Sequence, residues 1–174
     1  MEITSYEQIQ NLKNSIINNM FRSYTSLQKT LDTNDVMQIF SSIKFKKTAF
    51  DPVQGTPLNF IEMLNQAFSD LVVLYGVDNL LTKYPKQTFI IKLGEQNGYD
   101  IESKDGKIVG ECFSVVKAGN NGKLLKDTKK LLTLDPNIEK YIFFYSEYDT
   151  DDTIANFAKK HPEITYIRIK KFES

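Results

Sequence analysis

The heptapeptide Lys140-Tyr141-Ile142-Phe143-Phe144-Tyr145-Ser146 constrains the fold more than any other stretch of this chain. Side chains on a strand alternate between faces, and here both alternating sets are apolar or aromatic. Such a strand belongs inside a sheet that is covered on both sides, as helices flanking a partly parallel sheet would cover it. The neighbouring segments agree. Residues 123–134, "KLLKDTKKLLTL", place Leu124, Leu125, Thr128, Leu131 and Leu132 on one side of a helix and lysines over much of the other. After the strand, Thr150 or Asp151 can cap a helix through "DTIANFAKKH", and "ITYIRIKKF" (164–172) closes the chain as a strand. Strands joined through helices run parallel, by right-handed crossovers.

Upstream, residues 58–82 read as a helix to about Tyr75, with Gly76 as its stop and a short helical turn at 78–82. Three strand candidates follow at 87–93, 99–103 and 107–116, separated by glycine-bearing turns that make an antiparallel meander. From residue 58 the order is helix, three strands, helix, strand, helix, strand. The fold class this predicts is α/β, a mixed central sheet with helices on its faces.

The N-terminal part is helical. Ile9, Leu12, Ile16, Met20, Tyr24 and Leu27 recur at three- and four-residue spacing over 5–31, with Thr4 or Ser5 as N-cap. A second helix fits 33–43, capped by Thr33 or Asp35. Pro52, Gly55 and Pro57 then break the pattern. The predicted organisation is an N-terminal helical segment (1–50) joined to an α/β core (56–174).

Composition narrows the chemistry. The 22 basic and 22 acidic residues cancel, so net charge argues for no partner, but their distribution is uneven. Residues 117–130 hold five lysines and one aspartate, whereas 135–152 hold six acids and one lysine. A single cysteine, Cys112, excludes an intramolecular disulfide. With a single histidine, His161, it also makes a Cys/His zinc site or a histidine-assisted nucleophile a poor reading. The N-terminus lacks the basic flank and apolar run of a signal peptide, and no segment approaches the ~20 apolar residues of a membrane span. A soluble, cytoplasmic protein with no membrane partner is the expectation.

The residues that bear on function lie in "GYDIESKDGKIVGECFS" (98–114). Asp100 stands at the start of one strand and Glu111 in the middle of the next. Two carboxylates on neighbouring strands can hold a divalent metal, or can be solvent-facing acids on a hairpin. With the element order, this pair resembles the PD-(D/E)xK (restriction-endonuclease-like) nuclease superfamily over residues 58–174. That resemblance implies Asp100 and Glu111 as ligands of Mg²⁺ or Mn²⁺ beside a scissile phosphate of DNA, and hydrolysis of the phosphodiester.

Two departures stand out. No proline adjoins Asp100, and the third strand reads Glu111-Cys112-Phe113, with phenylalanine at the lysine position. Lys117 shares the Glu111 face but lies about 20 Å further along an extended strand. The following helix is the better source of a lysine, and Lys123 and Lys126 in its first turns are the candidates. Glu62, on the helix before the sheet, is a candidate third acid for the metal. Lys117, Asn120, Asn121 and Lys123 surround the glycine-bearing loop 117–122 and suit contacts to a nucleic-acid backbone.

Three functions compete on these grounds: a metal-dependent nuclease, a catalytically inactive module of the same fold that binds nucleic acid or protein, and a small regulatory or immunity-type α/β protein. The basic run beside the carboxylates favours the first two. The N-terminal helices are candidates for homodimerisation or for a partner protein.

Overall fold

A computed structural model describes residues 1–32, 34–94, 96–118 and 122–172. Its central element is a six-stranded mixed sheet in the order β1-β4-β5-β6-β7-β8. The strands are β1 (Glu2–Ile3), β4 (Phe89–Ile91), β5 (Ile101–Ser103), β6 (Ile108–Val115), β7 (Glu139–Ser146) and β8 (Ile164–Ile169). A separate two-stranded hairpin pairs β2 (Ala49–Phe50) with β3 (Pro57–Leu58), around the stretch where Pro52, Gly55 and Pro57 break the helical pattern. The helices are α1 (Tyr6–Thr30), α2 (Val36–Phe45), α3 (Phe60–Lys83), α4 (Lys123–Leu132) and α5 (Asp151–Lys160). None of those described is long and apolar enough to cross a membrane.

The α/β class and the mixed sheet are as the sequence predicts. β4, β5 and β6 pair antiparallel, while β6–β7 and β7–β8 are parallel through α4 and α5. β7 lies between two partners, and Tyr141, Ile142, Phe143 and Phe144 are each at most 2% exposed. Its two faces feed two cores. Tyr141 and Phe143 join Ile108, Cys112 and α3 residues such as Leu74, Val77 and Leu80. Ile142 and Phe144 join Val109, Phe113, Leu124 and Leu131 under α4 and α5. At ~1.5–3 kcal/mol for each large apolar side chain buried, this one strand anchors both layers.

Gly76 does not end a helix. α3 runs unbroken through it, because it is a contact point and not a stop. A Cβ there would stand 2.9 Å from both Ile101 and Phe143, so only glycine lets α3 approach the sheet this closely. The C-terminal strand is also shorter than its pattern suggests, ending at Ile169. Phe172 instead folds back, with its ring against Phe68, Tyr75 and Tyr145.

The N-terminal segment is built into the core. Ser5 caps α1 in a reciprocal box with Gln8. β1, ahead of it, extends the main sheet by pairing Ile3 with Phe89, a two-residue strand too short for any periodicity to announce. Ile3, Ile9, Ile16 and Ala49 belong to the same apolar cluster as α3 and the sheet. Asp35 caps α2 by accepting from the Gln38 N–H at 3.0 Å; the alternative cap, Thr33, lies outside the described residues.

Candidate functional site

The β5–β6 register brings Asp100 to Glu111. Ile101 pairs with Gly110 and Glu102 with Val109, so Asp100, one residue ahead of β5 and not on the strand as the sequence suggested, lies next to the Glu111–Cys112 stretch of β6, close enough for its charge to act on Glu111. The Asp100 backbone is held in line there, its carbonyl accepting the Lys92 N–H at 2.9 Å. Strand alternation fixes the face on which Glu111 lies. Glu111 falls between Val109 and Phe113 on the α4 side, whereas Cys112 points into the α3-side core, as the period-two reading requires.

Each carboxylate is held by a specific donor. The Asp100 Oδ2 accepts the Cys112 backbone N–H at 2.7 Å. The Glu111 Oε1 receives the Lys130 ammonium at 2.5 Å, with the Glu111 side chain 4% exposed. Lys130 is fixed by two further groups, donating to the Gly98 carbonyl at 2.6 Å and lying 4.6 Å from the Tyr99 ring centroid. Alongside, Lys123 pairs with Asp127 at 3.1 Å, and Asp127 is 2% exposed. Lys123, Asp127 and Lys130 follow one another at spacings of four and three, one face of α4 laid over the carboxylates.

Burial dominates the electrostatics. It pushes Glu111 up to about 7, against the lowering effect of its hydrogen bond to Lys130 and with the help of the Asp100 charge. Burial likewise raises Asp100, opposed by the Cys112 N–H and the field of Lys123. Asp127 is raised by burial, against the pull of Lys123. Three acids and two lysines thus feel one another, and acid charge is in excess.

The structure separates the remaining candidates. Lys123 is at the cluster, tied to Asp127. Lys126 is exposed, and Lys130 occupies the place beside Glu111 that the sequence reading gave to Lys123 or Lys126. Lys117 is exposed beyond the end of β6, and Asn120 and Asn121 lie outside the described residues. Phe113 is buried and stacked on Phe144 with ring centroids 5.4 Å apart, so this strand position is filled by core.

Glu62 is exposed in the first turn of α3. Asp70, eight residues on, is the acid that α3 buries. Its Oδ1 accepts the Gly94 N–H at 2.8 Å, and its Oδ2 is buried without a hydrogen-bond partner. Burial first, then the charges of Asp51 and Asp100, push it up to about 6 against the Gly94 and Gln66 hydrogen bonds. A lone acid inside the apolar run "AFSDLVVLYGV" was the sequence signal for it. Among the described residues no group of three or more Asp, Glu, His or Cys side chains is gathered closely enough to hold a metal.

Two hollows, of about 340 and 360 Å³, lie elsewhere, along β8 and on α1. No protein-family model, curated protein or solved structure matches the chain.

Proposed function

We propose that this chain is a metal-assisted phosphodiesterase acting on DNA in the cytoplasm, related to the PD-(D/E)xK nucleases, with Asp100, Glu111 and Lys130 at its centre. One observation carries the reading. α4 delivers an ammonium to Glu111, close to Asp100, and so supplies from a helix the charge that Phe113 withholds from the strand.

The donor set suits Mg²⁺ or Mn²⁺, which take oxygen ligands; Mg²⁺ in particular needs only one or two protein carboxylates and keeps several waters. Desolvation raises both the buried Glu111 and the half-buried Asp100, the Asp100 charge adds to the rise at Glu111, and a divalent cation would offset that cost. Bound there, such a cation would supply an activated water and a clamp on a phosphoryl oxygen. Lys130, its ammonium fixed by Gly98 and Tyr99, offers positive charge where charge develops on a phosphate. Asp70 is the buried helix acid whose charge reaches Asp100, a better candidate than Glu62 for adjusting the pair. Lys123 and the exposed Lys117 and Lys126 give a basic surface for backbone phosphates.

A second reading has its own support. Phe113 packed on Phe144, and Lys130 already neutralising Glu111, would suit a module that binds nucleic acid or a protein without cleaving.

Incubation of supercoiled plasmid, single-stranded DNA and RNA with the full chain and Mg²⁺ or Mn²⁺ tests both. Cleavage that is lost in Asp100→Asn, and reduced ~10²–10³-fold in Lys130→Met, is the result expected from loss of a charge-stabilising group. No cleavage, together with no calorimetric Mn²⁺ binding, would remove the first reading. DNA binding persisting in that case would establish the second.

A further inference from the structure

α1 packs one face on the core and leaves a second, ordered face bare. Residues Gln10, Asn14, Ile17, Phe21, Tyr24, Gln28 and Leu31 follow one another at alternating spacings of four and three, and every one is exposed. That 4-3 alternation is the seam of a coiled coil, in which each helix sets its residues between those of a partner helix. The face toward the core is a different one, carrying Ile9, Lys13, Ile16, Asn19 and Ser23. The exposure is large where it matters: Phe21 66%, Tyr24 51%, Leu31 51% and Ile17 39%.

We propose that this seam pairs with the same seam of a second copy, making the protein a homodimer through α1. Three features favour a second copy as the occupant. The first is charge. No acid occurs on α1 after Glu7, and its three cations are Lys13, Arg22 and Lys29. Lys13 is committed to Asp78 and Arg22 lies over the Phe50 ring, so Lys29, at the edge of the seam, is the cation that remains and two copies meet along an otherwise uncharged line. Depletion of charge with enrichment of aromatic residues is the composition of an interface core.

The second feature is area. At ~150–250 Å² for a large side chain, the four apolar members at their stated exposures offer roughly 400 Å². The exposed polar members and the flanking Asn18 and Thr25 bring the strip toward the ~800 Å² per partner of a standard interface. A 25-residue helix, ~37 Å long at 1.5 Å per residue, is long enough to present it.

The third is shape. A hollow of about 360 Å³ lies at the edge of the seam, bounded by Phe21, Thr25, Lys29 and Phe50, and is open to receive a side chain from the facing helix.

Sedimentation equilibrium of the full chain decides the matter. The wild type is expected at twice its 20.1 kDa. Phe21→Glu and, separately, Tyr24→Glu are expected to halve that mass, since an isologous contact buries each new acid twice, once from each copy. Both side chains are more than half exposed, so the far-ultraviolet circular dichroism per chain should stay unchanged. Met37→Glu, on the exposed face of α2, should leave the dimer intact. A monomeric wild type, a dimer that survives both α1 substitutions, or a dimer lost only in Met37→Glu would each overturn the assignment. Cleavage and metal binding do not enter, so the outcome is independent of the proposed activity.

Discussion

Replacing Glu111 with glutamine should make the protein more stable at pH 8, and the gain should vanish in acid. Glu111 is buried, and its carboxyl is pushed up to about 7 from an ordinary 4.5 even with Lys130 bonded to it. Between those two values the folded chain retains a proton that the unfolded chain has released. Stability from this group is therefore fully present below about pH 4.5, falls as pH rises through 7, and is flat above. The window spans about 2.5 pH units, which at 1.36 kcal/mol each amounts to about 3 kcal/mol.

Glutamine keeps the shape and an acceptor for Lys130 without the charge. Glu111→Gln should then exceed wild type by ~1–3 kcal/mol at pH 8 and match it near pH 4.5. For a chain of this size the gain corresponds to a rise of up to about 10 °C in melting temperature. Urea unfolding of the two proteins at several pH values measures the difference directly. Asp70 titrates in both proteins and largely cancels, whereas the coupling of Asp100 to Glu111 is part of the difference measured. A Glu111→Gln variant less stable than wild type at pH 8, or a difference independent of pH, would refute the account of Glu111 as a desolvated acid. Mg²⁺ should narrow the gap at pH 8 by stabilising only the wild type, if the carboxylate pair binds it.

Three other substitutions probe the scaffold. Gly76→Ala should destabilise by ~1–3 kcal/mol in urea unfolding, because overpacking at 2.9 Å from Phe143 and Ile101 outweighs the ~1 kcal/mol that alanine gains in a helix interior. Phe113→Lys should cost several kcal/mol in the same assay and raise no cleavage, since it buries an ammonium in the Phe144 stack. Ser5→Ala removes the acceptor for the Gln8 N–H and should lower stability by ~1 kcal/mol, read as a melting-temperature shift.

The sheet was legible because its signals are local. Two-sided apolarity placed β7 inside, and alternation placed Glu111 and Phe113 on one face and Cys112 on the other. Features that depend on a distant partner were not legible. β1 is two residues long and exists because Phe89 and Ile90 are there to receive it. Gly76 reads as a helix stop in sequence, since the same absent side chain serves a turn or a close packing contact. Only the position of the sheet against α3 distinguishes them.

The lysine beside Glu111 turned on the same kind of information. On lysine count alone α4 offers four choices, and the first turns of the helix are nearest the end of β6. What selects Lys130 is the rotation of α4 about its axis. Leu124 and Leu131 dock in the core that holds Phe113 and Phe144, and the Thr128 hydroxyl is bonded to both the Leu124 carbonyl and the Tyr166 hydroxyl. Leu125 and Leu132, assigned to the same apolar side from sequence, are 47% and 37% exposed, so the true buried stripe is rotated away from them. That rotation carries Asp127 under the helix and brings Lys123 and Lys130, four residues before it and three after, to the carboxylates; Lys126 faces outward. A single acid among five lysines, three and four residues from two of them, was the trace of this face in the sequence. It marks which side of a basic helix is turned inward, because an acid held 2% exposed keeps its place only where cations are close enough to share its charge.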